Sequence, residues 1–251
     1  MNILKIIKEL YTGKNNLTAQ LGIFSLISVM SISFNQIISM FTGNNLYAVF
    51  SVPSNTEAAI FAILGIMIFI YFTGYIYQFV HESFNQDNTE LPSISLNCFT
   101  TFIKTFPVMF VWGLYIALIW YAECLLYSVN QIESILLFIF LLLLLPFVNM
   151  VFLLFAKDFK YDCKYFNPLI IVRLIKKTFF PVFLFMIQFL IIASIIIIIN
   201  TYLFKYAINE HSRIVQLTLI LLVLCISSYI QQILNLAYYK CLTDIIKKYY
   251  V

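Results

Sequence analysis

The sequence predicts an all-α fold: a polytopic transmembrane helical bundle of about six spans, with amphipathic helices at the membrane interface. Three observations predict it. Hydrophobic residues make up 63% of the 251 residues and charged residues only 10%, against roughly 25% charged in a soluble domain. So few polar groups cannot cover a surface in water, so lipid must be the solvent for most of it. The charges bracket six nearly uncharged stretches, each long enough to cross a bilayer as a helix of about 20 residues. Finally, 13 of the 15 Lys and Arg residues fall on alternate connections between those stretches.

The chain reads as one integral membrane domain with spans near 18–41, 58–80, 105–128, 134–156, 178–204 and 214–239. Helices are expected throughout, because lipid cannot satisfy an open backbone and the alternation of a transmembrane barrel is absent. Lys5, Lys8 and Lys14 precede the first span, although the polar stretch 12–16 and the length of the run that follows argue against a cleaved signal peptide. Lys104 lies in the second-to-third connection. Lys157, Lys160, Lys164, Arg173, Lys176 and Lys177 lie between the fourth and fifth spans, and Lys240, Lys247 and Lys248 follow the sixth. The other side has only Lys205 and Arg213. Positive residues stay inside, so both termini are expected in the cytoplasm of a cell-membrane protein.

Three segments read as interfacial helices: 3–11, 168–177 and the region around 240–248. Each places its lysines on one face and its apolar residues on the rest, the pattern of a helix lying in the headgroup plane. The start of the third span (Lys104-Thr105-Phe106-Pro107) resembles the start of the fifth (Lys177-Thr178-Phe179-Phe180-Pro181), and Asn97 or Asn167 opens the preceding stretch. Proline suits a first helical turn. These segments suggest a parallel repeat of an interfacial helix, an outward span and an inward span, with 3–22 as a further copy lacking the proline.

The stretch from Gly74 to Pro92 has Gly74-Tyr75 near the inner end of the second span, then a polar turn and Glu90-Leu91-Pro92. It resembles a family of archaeal and bacterial polytopic membrane proteins known as domain of unknown function 4013. The resemblance implies the helical layout and no activity. The Trp and Gly common after that motif are absent from Ser93, Ile94 and 99–104. On physical grounds alone, Gly74 permits close helix packing, Tyr75 suits the headgroup level, and Pro92 forces Leu91 out of the helical region.

The most polar stripe within a span is Ser228, Gln231, Gln232 and Asn235, spaced to share one face of the sixth helix. Ser25, Ser28, Asn35, Gln36, Asn149, Gln188 and Asn200 are further polar residues in spans. Such groups read as interhelical hydrogen bonds or as the lining of a solute path. Glu123 is the main carboxylate within a span, and Trp120 and Tyr121 beside it place it at the outer interface.

His81 and His211 are expected on opposite sides of the membrane. There is no His-Glu-x-x-His, no spanning Asp pair and no phosphate-cradling loop among the six glycines. The five cysteines form no Cys-x-x-Cys pair. No catalytic residue, cofactor or metal site is expected, nor any nucleic-acid surface. The remaining chemistry is the basic cluster Arg173, Lys176 and Lys177, suited to anionic lipid headgroups or to an acidic partner protein. The expected function is non-enzymatic association with lipid or another membrane subunit. The alternative is a transporter or permease component for a solute, with an ATPase partner on the same basic surface.

Overall fold

In a computed structural model of the chain, residues 3–12, 19–30, 33, 55–86, 91–127, 131–209 and 213–250 are described. Of these residues 93% are helical, and no strand occurs among them. The helices are α1 (Ile3–Thr12), α2 (Ala19–Met30), α3 (Asn55–Gln86), α4 (Asn97–Tyr127), α5 (Gln131–Asp158), α6 (Leu169–Ile208) and α7 (Arg213–Tyr249). A short 3-10 turn, Cys163–Phe166, precedes α6.

Five helices, α3 to α7, are long and apolar enough to cross a membrane. Each contains one of the last five predicted spans, apart from position 128, which lies outside the described residues. Of the first predicted span, residues 19–30 form a shorter apolar helix and Ser33 is helical. Positions 18, 31, 32 and 34–41, with Asn35 and Gln36, lie outside the described residues.

The boundaries differ from expectation in one respect. No turn separates the interfacial stretch from the span in α4, α6 or α7. Pro107 and Pro181 sit inside α4 and α6 rather than in a first turn. A break would expose up to four N–H and four C=O groups, each costing several kcal/mol in lipid, whereas an internal proline costs about 3 kcal/mol. The continuous helix is the cheaper structure.

Helices α3, α5 and α7 pack on one another, with α4 against α3 and α5, and α6 against α5 and α7. The N-terminal parts of α1, α6 and α4 each pack on an earlier or later helix. α1 lies on α7, Thr178 of α6 donates to the Met150 sulfur of α5 at 3.8 Å, and α4 begins against Gly74 of α3.

The core is concentrated at one end of this bundle. Ile3, Ile6 and Leu10 of the amphipathic α1 are buried there, with Tyr75 and Phe79 of α3, Cys98 and Trp112 of α4, Met150 to Phe155 of α5 apart from the half-buried Phe152, Leu174 of α6, and Leu242 and Ile246 of α7. Toward the other end, Ile63, Phe69, Leu118, Phe140, Leu143, Ile191 and Ile198 are exposed. An exposed apolar surface of this extent needs lipid around it.

Candidate functional site

The candidate surface lies at the packed end, where α5 hands over to α6. α5 stops because Phe159 adopts a left-handed conformation, φ 49°, while its N–H still reaches Phe155 O at 2.9 Å. Lys104 Nζ sits 5.7 Å above the Phe159 ring, and Tyr161 donates to Lys104 O at 2.8 Å. The Asp162 carboxylate caps the 3-10 turn by accepting from Lys164 N–H at 3.0 Å. That N–H, with the Lys164 ammonium 3.1 Å away, holds the Asp162 carboxyl below the usual carboxylate range, and Asp162 raises Lys164 in return. Trp112 Nε1 donates to Tyr165 O at 2.7 Å, anchoring the loop to α4. Asn167 Oδ1 then accepts from Leu169 N–H at 2.9 Å and opens α6.

This frame presents the predicted basic cluster. Arg173, Lys176 and Lys177 are all exposed, while Ile170, Ile171, Leu174 and Thr178 turn into the core. Lys177 Nζ lies 4.9 Å over the Tyr250 ring. Arg173 and Lys176 have no acidic partner among the described residues. Val172, Phe179 and Phe180 are exposed beside them, so cations and apolar side chains occupy adjoining parts of one helix surface. Lys160 and Lys164 are exposed on the same side of the bundle.

The C-terminal cations behave differently from expectation. Lys240, expected to face headgroups, is only 5% exposed and pairs with Asp244 at 2.9 Å. Asp244 follows one turn later on the helix and neutralises it locally. Lys247 Nζ donates to Ser83 O at 2.7 Å, tying α7 to α3. Lys248 alone of the three is exposed, its ammonium 5.2 Å over the Tyr249 ring.

Gly74, Tyr75, Leu91 and Pro92 form a helix-packing joint. A Cβ at Gly74 would fall on the Cys98 carbonyl oxygen, so only glycine lets α3 and α4 approach this closely. Tyr75 is fully buried rather than at the headgroup level, and its hydroxyl donates to Pro92 O at 3.0 Å. Leu91 and Pro92 are buried and non-helical ahead of α4. Glu90 lies outside the described residues.

The stripe on α7 is spread over different environments. Gln231 is exposed, while Ser228, Gln232 and Asn235 are half-buried. Asn235 donates to Gln232 within the same helix at 3.4 Å. Bonds between helices include Asn149 to Tyr238 at 3.1 Å, Ser227 to Asn200 at 2.9 Å, and Ser134 to Glu123 at 2.7 Å. Gln20 donates to Leu10 O at 2.7 Å and accepts from Tyr229 at 3.4 Å, joining α1, α2 and α7. Trp112, Tyr165 and Tyr238 are the structural residues that sequence reasoning missed. An aromatic in so aromatic a chain carries no signal of its partner.

No family model, curated protein or solved structure matches this chain. Five long apolar helices nevertheless place it in a membrane as a multi-pass helical protein.

Proposed function

We propose that this is a non-enzymatic protein of the cell membrane, with both termini cytoplasmic, that acts by holding anionic lipid headgroups at the opening turns of α6. One observation carries the reading: Arg173 and Lys176 are exposed without an acidic partner among the described residues, close to where the apolar span begins. Each cation near an anionic leaflet contributes about 1 kcal/mol. Arg173 adds a planar fork that matches a phosphate, and Phe179 and Phe180 are placed to lie among acyl chains. The full chain and the variant R173Q/K176Q/K177Q would be compared by native mass spectrometry from mixed anionic and neutral lipid. The variant should lose most of its bound anionic lipid and keep its topology. Equal retention would overturn the proposal.

The helical layout and the Gly74 joint also support the proposal that the chain is related to the domain of unknown function 4013 family, on the sequence motif Gly74, Tyr75, Glu90, Leu91 and Pro92. The second functional reading is a transporter or permease component driven by an ATPase partner. One observation favours it: the buried core is concentrated at the predicted cytoplasmic end, while toward the other end many large apolar side chains of the described helices are exposed. Co-purification of a nucleotide-binding subunit that depends on the basic surface would select it.

A further inference from the structure

A cavity of about 500 Å³ opens between α6 and α7, lined by Asn200, Thr201, Phe204, Lys205 and Asn209 on one side and by Val223, Leu224 and Ser227 on the other. It lies far from the basic cluster. Lys205 follows Lys177 by 28 residues on the same unbroken helix, about 42 Å at the helical rise of about 1.5 Å per residue. That separation matches the roughly 40–45 Å from headgroup to headgroup across a bilayer. The cavity therefore sits at the opposite interface, where the chain has almost no other cation.

Its walls divide by chemistry. Phe204, Val223 and Leu224 are apolar. The lining is mostly apolar, and its polar part offers the Lys205 ammonium and the Asn200 amide N–H groups, since the Thr201 hydroxyl donates to Ile197 O at 2.8 Å; no acid lies among its described residues. Ser227 donates to Asn200 Oδ1 at 2.9 Å, which leaves the two N–H groups of Asn200 Nδ2 unbonded among the described residues. Asn209 N–H takes the carbonyls of Lys205 and Tyr206 at 3.3 and 3.2 Å, occupying acceptors that would otherwise oppose an anion. The Lys205 ammonium is exposed and has no acidic partner among the described residues.

We propose that this cavity is a second site, independent of the Arg173 cluster, that binds the phosphate ester head of an amphiphile. Lys205 and Asn200 meet the phosphate oxygens, and Phe204, Val223 and Leu224 receive the first methylenes of the tail. A cation is poorly served here, because Lys205 would repel it. A wholly apolar ligand would leave the Asn200 amide desolvated and unpaired.

The test uses the full-length chain carrying R173Q/K176Q/K177Q, so that the other surface does not contribute. Phosphatidylglycerol, diacylglycerol and glycerol 3-phosphate are the probes, and native mass spectrometry is the readout. The chain should retain phosphatidylglycerol in preference to diacylglycerol. Lys205→Gln should cut that retention about fivefold, the change equivalent to ~1 kcal/mol, and Lys205→Arg should restore it. Lys205 is exposed, so its loss does not threaten the fold. Asn200→Leu should weaken binding in the same direction.

Equal retention of phosphatidylglycerol in Lys205→Gln and in Asn200→Leu would overturn the site. Glycerol 3-phosphate binding as tightly as the lipid, and equally dependent on Lys205, would overturn the amphiphile and assign the cavity to a free phosphate ester. Failure of the Arg173 proposal would leave these outcomes unchanged, since its residues are already removed.

Discussion

Replacing Gly74 with alanine adds one methyl group where two helix backbones touch. The new Cβ would fall on the Cys98 carbonyl oxygen, 2.7 Å from its carbonyl carbon and 3.2 Å from Phe102 N. All three atoms are main chain in the first turns of α4, so no rotamer change relieves the overlap. α4 must move by roughly an ångström, and a gap of 0.5–1 Å already forfeits about a quarter to a half of each contact energy along it. The contacts at risk surround Tyr75, Phe79 and Cys98, all fully buried, together with the bond from Tyr75 to Pro92 O.

Overpacking of this kind costs about 1–3 kcal/mol, and the lost hydrogen bond about 1 kcal/mol. Alanine returns roughly 0.5–1 kcal/mol through its higher helix propensity. The net loss is about 1–3 kcal/mol, a fall in midpoint of roughly 3–10 °C for a chain of this size. Thermal unfolding in detergent, followed by Trp112 fluorescence in a Trp120→Phe background, measures it, since the Trp112 indole is only 2% exposed and bound to the loop. Gly65 and Gly113 are matched controls, because nothing lies within 4 Å of a Cβ at either, so alanine there should raise the midpoint. Gly74→Ala unfolding at or above the wild-type midpoint, in step with the controls, would refute the reasoning.

Two other outcomes are expected. Native cysteines report topology: Cys124 near the end of α4 and Cys163 in the loop before α6 are both exposed, and the charge distribution puts them on opposite sides. An impermeant thiol reagent added to intact cells should modify Cys124 and spare Cys163, and the reverse pattern would invert the proposed orientation. Asn149→Leu and Tyr238→Phe should each destabilise the bundle by about 0.6–1.7 kcal/mol, and the double variant by less than their sum, because each removes the same α5–α7 bond. Strict additivity in a denaturation cycle would show that the pair contributes nothing.

The membrane class, the helical content and the placement of five spans were legible in the sequence, because they depend on properties summed over twenty or more residues. Hydropathy and charge balance average over each segment, so single exceptions such as Glu123 or Pro107 do not disturb the reading. The Lys and Arg distribution likewise singled out Arg173, Lys176 and Lys177, whose exposure follows from the apolar face that α6 buries beside them. What each residue touches was not legible. Gly74 could be read as a packing residue, but that its neighbour is the Cys98 carbonyl depends on how α3 meets α4. The α7 stripe shows the same limit: helical spacing puts Ser228, Gln231, Gln232 and Asn235 on one face, yet the depth of each depends on neighbouring helices. Asn149 was one polar residue among several until α7 brought Tyr238 to it. Lys240 reads as interfacial from spacing alone, and the tertiary fold buries it with Asp244 one turn away to compensate its charge. Solvent class is a property of composition and needs no partner, whereas a hydrogen bond, a close approach or a cavity is made by two segments distant in sequence, and only their packing decides which residues meet.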